Sequence, residues 1–174
     1  MEFLDKILKE GIDNAANVLK EMTGFDVRLN SSNISEFNID KNIENSYILK
    51  QKAFDNEGLF IDFYFTMITK EFLKFLSVIE GETITEVQNE EELIDSFMEV
   101  GNIICGNVIS SFANALNKKF YFSLPVIEKI SYNNDLILKG VRVKFEIKEF
   151  DIQGNLMFAM SPESFDLFNN SLSR

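Results

Sequence analysis

The chain has 174 residues, enough for one domain with a buried core, and its 45% hydrophobic and 13% aromatic content is that of a folded protein. Twenty-eight acidic against 17 basic residues give a net charge of −11, which repels phosphate backbones and sets nucleic-acid binding aside. There is no histidine, which excludes an imidazole base, Ser-His or Cys-His catalysis and a histidine-containing zinc site, and the single cysteine, Cys105, excludes an internal disulfide.

One thiol suits a reducing compartment. No basic stretch leading into an apolar run opens the chain, so a signal peptide is not expected. No run of about 18 uncharged apolar residues occurs, so a membrane span is not expected either. These features together point to the cytoplasm.

In chain order, residues 2–23 carry Phe3, Ile7, Leu8, Ala15, Val18, Leu19 and Met22 at helical spacing, with Gly24 placed to end the helix. DVRLN (26–30) suits a short strand, and the polar stretch after it, through about residue 45, suits a loop. SYILKQKAF (46–54) and GLFIDFYFTM (58–67) suit two strands joined at Asp55–Gly58, the second central, with Leu59, Ile61, Phe63 and Phe65 on one face. A helix follows over 69–81, with Thr69 as its N-cap and Gly81 at its end.

Asn89 is placed to cap a longer helix over about 90–118, and Glu90, Glu91 and Glu92 complement its dipole. Its apolar stripe is Leu93, Phe97, Val100, Ile104, Val108, Ser111 and Ala115. Pro125 breaks the segment 119–130 into an edge, a bulge or two short strands. Residues 136–150 alternate as a half-buried strand, Gln153-Gly154-Asn155 suits a hairpin turn into 155–160, and Ser161-Pro162 opens a terminal helix. The order of elements predicts an α+β fold, with helices on an antiparallel sheet.

The long helix poses a question. DSFMEVGNIICGN (95–107) holds two glycines and two asparagines, although each interior glycine costs about 1 kcal/mol relative to alanine. Opposite the apolar stripe, Asp95, Glu99, Asn102 and Gly106 fall at i, i+4, i+7 and i+11, on one face. Asn102 offers a donor and an acceptor on a short arm, suited to holding a water in one orientation. Glu99 can anchor a cation on a partner, and Gly106 leaves room for a partner to approach. A solvated face has the same spacing, and the glycines could equally serve helix packing; spacing leaves these readings open. Cys105 beside the apolar stripe reads as a buried inert thiol.

EVGNIICGN resembles the signature of the CheC/CheX/FliY family of chemotaxis phosphatases: Asp or Ser, three residues, Glu, two residues, Asn, twenty-two residues, Pro. Asp95, Glu99, Asn102 and Pro125 meet every spacing. Gly101-Asn102-Ile103 and Gly106-Asn107 resemble the GNI…GN core, while Cys105 departs from the small residue, commonly Ala, of that position. NAANVLKEMTGFDV (14–27) resembles the related helix of the same fold. Placing Asn14 on Asn107 puts Lys6 opposite Glu99 and Lys9 opposite Asn102, so the first helix lacks the pair. One pair and no amino-terminal extension resemble the CheX branch, not two-site CheC or the longer FliY.

The resemblance implies a single CheX-like domain over 1–174, with a CheC-like antiparallel sheet packed by two long helices and shorter ones. It implies hydrolysis of the aspartyl phosphate on a CheY-type response regulator, with Asn102 aligning the water and Glu99 pairing with a regulator lysine. Asp95 and Gly106 would meet the partner, and Pro125 would be structural. The regulator would carry the Mg²⁺, so the chain itself needs no cofactor or metal. A homodimer is also implied, with exchange of strands from the carboxy-terminal hairpin as one arrangement. The rival expectations are a non-catalytic module that binds a regulator, flagellar or signalling partner, and a structural dimer that uses the glycines for packing.

Overall fold

Val141, Val143, Phe145 and Ile147 are buried while Arg142, Lys144 and Lys148 between and after them are exposed, so this stretch can only lie with one face on a core. The computed structural model describes residues 2–38, 46–84, 90–129 and 137–172. They form α1 (Glu2–Thr23), β1 (Val27–Ser31), β2 (Ser35–Asn38), β3 (Ser46–Phe54), β4 (Phe60–Ile68), α2 (Thr69–Glu80), α3 (Glu90–Leu116), β5 (Tyr121–Phe122), β6 (Val126–Lys129), β7 (Ile137–Ile147), β8 (Ile152–Met160) and α4 (Pro162–Leu172). The strands make one antiparallel sheet in the order β1-β7-β8-β4-β3-β5, with β2 also on β7 and β6 also on β3. The architecture is the expected α+β.

The order of elements is helix, four strands, helix, and then the same again. Thr69 and Pro162, which open α2 and α4, are 93 positions apart, as are Phe54 and Ile147, which close β3 and β7. Asn14 and Asn107 share that separation, so the register matched on sequence between α1 and α3 is the register of the two halves. The halves meet where β4 pairs β8 (Tyr64 with Met157, Phe65 with Leu156). Each also lends its short strands to the other: β1 and β2 pair β7, while β5 and β6 pair β3.

Phenylalanine fills the core. Phe65 of β4 has ring centroids of Phe97 at 4.6 Å and Phe145 at 5.3 Å, and Phe97 meets Phe72 of α2 edge-on at 5.1 Å. One aromatic cluster therefore fixes the first half of α3 against sheet and α2. Beyond it, α3 packs on α1 at Gly11, where a methyl group would come within 2.7 Å of the Val108 Cα.

Several details differ from the sequence expectation. The β7–β8 turn lies at Lys148–Asp151, with Asp151 in the left-handed region at φ 51°, and not at Gln153–Asn155. Gly154 sits inside β8 because a side chain there would press on Met67 and Phe65. The polar stretch contains a strand, β2, held by backbone pairing to β7 with no apolar alternation to announce it. Thr69 is the first residue of α2, not its cap; Ile68 stands at the cap position without a side-chain bond, while Gly81 ends the helix at φ 72° as expected. Ser161 does cap α4, accepting the Ser164 N–H at 3.2 Å.

On α1, Phe3, Val18 and Met22 are exposed, and Leu4 and Ile12 take core places instead. On α3, Ser111 is half-buried and Ala115 exposed; Cys105, Ile109 and Phe112 are buried in their stead. At the far end of the helix Phe168 of α4 packs on Phe112 at 5.6 Å. Asn89 and the side chains of Glu90–Leu93 lie outside the described residues.

Candidate functional site

The buried face of α3 fixes what its other face presents. Phe97, Val100, Ile104, Cys105, Val108, Ile109 and Phe112 are all inside, so the helix cannot rotate about its axis without exposing core. Opposite them, Asp95, Glu99 and Asn102 are exposed and Gly106 is partly so. The structure thus brings all four onto one open surface, about three turns long.

The two glycines separate into different roles. Gly101 is buried against β3, and a methyl group there would come 2.8 Å from Leu49 Cδ1 and 3.1 Å from Cδ2. Leu49 is itself fully buried, so its side chain would have to shift within the packed core, and Gly101 lets the helix settle on the sheet without that. Gly106 has open space around the position of its missing side chain. Helical position distinguishes them: Gly101 falls between Val100 and Ile104 on the apolar side, Gly106 on the polar stripe. Gly101→Ala should therefore lower stability by about 1–2 kcal/mol despite alanine's higher helix propensity. Gly106→Ala should raise it by about 0.5–1 kcal/mol. Thermal unfolding of the two variants checks the pair.

Polar contacts hold the surroundings. Ser96, next to Asp95, donates a hydrogen bond to Glu80 at the end of α2, which ties the start of the stripe to its neighbour. Asn107 turns inward and donates to the Ile103 carbonyl at 2.8 Å, which explains an asparagine that has no place on the stripe. Burial pushes the Cys105 thiol up to about 12, so it stays protonated and unreactive at neutral pH. On α1, Lys6 and Lys9 are exposed at the places that correspond to Glu99 and Asn102, so the related face lacks both the acid and the amide.

Pro125 lies between β5 and β6, half-buried. Two groups escape sequence reasoning altogether. Gly11 was legible only as an unremarked break in a helix. Lys118 pairs with Asp55 at 2.9 Å and Glu57 at 2.8 Å across more than sixty residues of sequence, which no local pattern encodes. Among the described residues no group of three or more acidic or cysteine side chains is placed to hold a metal, and no helix is long and apolar enough to cross a membrane. A cleft of about 640 Å³ opens elsewhere, between Thr66, Glu71, Arg142 and Gln153, and includes none of the stripe.

A family model described as chemotaxis phosphatase CheX matches residues 57–135, a span that contains Asp95, Glu99, Asn102 and Pro125 together. Over that span the chain matches CheX, as the resemblance of the sequence to the CheC/CheX/FliY family led us to expect. Solved structures of FliY, CheX and FliM share its fold. FliY from Thermotoga maritima superposes with a TM-score of 0.72 at 15% identity, over 99% of this chain and 94% of that one. CheX from Borrelia burgdorferi, in a CheX–CheY–BeF3–Mg complex, superposes at 0.65 and 18% identity, over 87% and 96%. The FliM middle domain from Vibrio alginolyticus, at 0.68 and 10%, covers 97% and 99%. No curated protein matches the chain in sequence. In CheC/CheX/FliY terms the signature lies on the second of the two related long helices, and its charged and amide members are all on the solvent side.

Proposed function

We propose that this protein hydrolyses the aspartyl phosphate of a CheY-type chemotaxis response regulator. The observation that carries the reading is the presentation of Glu99 and Asn102 from one exposed face of a helix whose opposite face is locked into an aromatic core. The CheX–CheY complex of the Borrelia relative supports the identity of the partner. Asn102, short and carrying both donor and acceptor, orients a water in line with the acyl-phosphate bond. The water oxygen attacks phosphorus, the aspartate carboxylate leaves with the bonding pair, and the water's protons end on phosphate and solvent. Glu99 pairs with a regulator lysine, which holds the two proteins in the register that Asn102 needs. Asp95 adds a contact or charge one turn earlier, and Gly106 admits the partner surface.

The regulator brings its electrophile and its Mg²⁺, so the helix face needs neither a nucleophile nor a metal ligand. This resembles the glutamine that orients water in GTPases, where positioning and not covalent chemistry lowers the barrier. The same reading places the protein in the cytoplasm, as a homodimer.

Mixing the protein with a phosphorylated CheY-type regulator and following inorganic phosphate tests the reading. Phosphate release well above the regulator's own rate is expected. Tight binding of the phosphorylated regulator without faster release would instead support the second reading, a non-catalytic docking module, which the FliM-like architecture also accommodates.

A further inference from the structure

Leu124 is 86% exposed, far more than any other large apolar residue among the described ones. It sits at the tip of a bulge. Phe122 pairs with Ala53 and Val126 with Lys50, so Ser123, Leu124 and Pro125 stand opposite only Gln51 and Lys52. Bulges of this kind bend an edge and re-aim a side chain, often beside a functional site. The bend here is fixed by Ser123, which donates its N–H to the Lys52 carbonyl at 2.8 Å and accepts the Lys52 N–H on its hydroxyl at 2.9 Å. Gln51, buried opposite the bulge, donates its side-chain N–H to the Ser123 carbonyl at 3.3 Å.

The bulge lies on the outer edge of β3, the strand on which α3 is seated. Leu49 of β3 lies against Gly101 of α3, and Asp55 just past β3 pairs with Lys118 just past α3, so helix and strand run in the same direction. Two strand residues beyond Leu49 rise about 6.6 Å, which about four helical residues match. Gln51 is therefore level with the turn Asn102–Gly106, and the bulge opposite Gln51 stands one strand spacing further out on that flank. Phe122 and Val126, 45% and 49% exposed, extend the apolar surface on either side of Leu124.

We propose that the β5–β6 bulge, with Leu124 at its tip, is an apolar docking ledge for the partner that Asn102 serves, and receives an apolar patch beside that partner's phosphorylated aspartate. This rests on the regulator reading above. It also gives Pro125 a reason to belong to a catalytic signature: it shapes the ledge at a fixed distance along the chain from Asn102.

Kinetics of regulator dephosphorylation separate the ledge from the chemistry. Leu124→Ser should raise KM, and the Kd for regulator loaded with beryllofluoride, about tenfold, the loss expected for leaving one leucine contact unmade. Its kcat at saturation should stay within about twofold of wild type. Leu124→Met should restore KM. An unchanged KM and Kd in Leu124→Ser overturns the ledge while leaving the function standing. So does a change confined to sedimentation, since the edge then belongs to a contact between copies of the chain. If wild-type protein neither binds nor dephosphorylates the regulator, the functional reading fails first and the ledge with it.

Discussion

Asn102→Ala should slow release of phosphate from a phosphorylated CheY-type regulator by about 10²-fold or more, while the protein keeps its fold and its affinity for the regulator. Positioning a water for in-line attack accounts for several kcal/mol of barrier in comparable systems, and each 1.4 kcal/mol is about a factor of ten. Asn102 is exposed and makes no packing contact in the core, and alanine is the better helix former, so melting should be unchanged or slightly higher. Asn102→Asp sharpens the result: it keeps the shape, removes the donor and adds a negative charge near a phosphoryl group, so it should be no better than alanine. Glu99→Ala should act differently and mainly weaken binding, because an exposed ion pair to a regulator lysine serves association. If Asn102→Ala retains wild-type rate, the assignment of the water to this residue is wrong.

The largest structural effect is expected at Asp55. Its side chain is 4% exposed, one oxygen accepting the N–H groups of Glu57 at 2.9 Å and Leu59 at 2.8 Å and the other receiving Lys118 at 2.9 Å. Asp55→Ala strips two turn N–H groups of their acceptor and leaves a half-buried lysine to Glu57 alone. Unpaired buried groups of this sort cost about 2–4 kcal/mol. For a chain of this length that is a fall of about 5–15 °C in Tm.

The pH dependence has a definite sign. Burial alone would raise the Asp55 carboxyl, but the Lys118 hydrogen bond and the two backbone N–H groups together bring it below the ordinary value. Its contribution is therefore whole above the unfolded carboxyl value and is lost as pH falls through the lower folded one. Lys118 is opposed by its own burial yet raised by Glu57 and Asp55, so its share is whole below the ordinary lysine value and lost as pH climbs through the raised one. Urea unfolding of wild type and Asp55→Asn between acid and neutral pH checks this: the acid-side slope should be shallower in the variant by the share of Asp55.

Much of this molecule could be read from spacing. The strand 46–54, the helix 2–23 and the central position of β4 follow from local periodicity, which a half-buried element must show. The stripe Asp95, Glu99, Asn102 and Gly106 was legible for the same reason. What escaped depends on contacts that periodicity does not encode. β2 is made by pairing alone, and the β7–β8 turn uses Asp151 in a conformation that glycine more often supplies, so Gly154 drew the turn to the wrong place. The burial of Phe112 on α3 involves Phe168 of α4, distant in sequence. Helical position separates Gly101 from Gly106, but only the structure shows that Leu49 is what Gly101 makes room for.

The reciprocal loan of short strands bears on how the protein comes to fold. β3 is bordered by strands from the carboxy-terminal half, and β7 by strands from the amino-terminal half, with partners such as Val27 and Ile147 at opposite ends of the chain. Neither half can close its own edge during synthesis, so the amino-terminal half must wait on the ribosome with an open sheet until the rest has emerged. Long-range pairing of this kind slows folding and exposes strand edges while it lasts. It also makes the chain poor at surviving a break in the middle. The surface that carries Asn102, seated on a strand from the other half, comes into being only when the whole chain is in place.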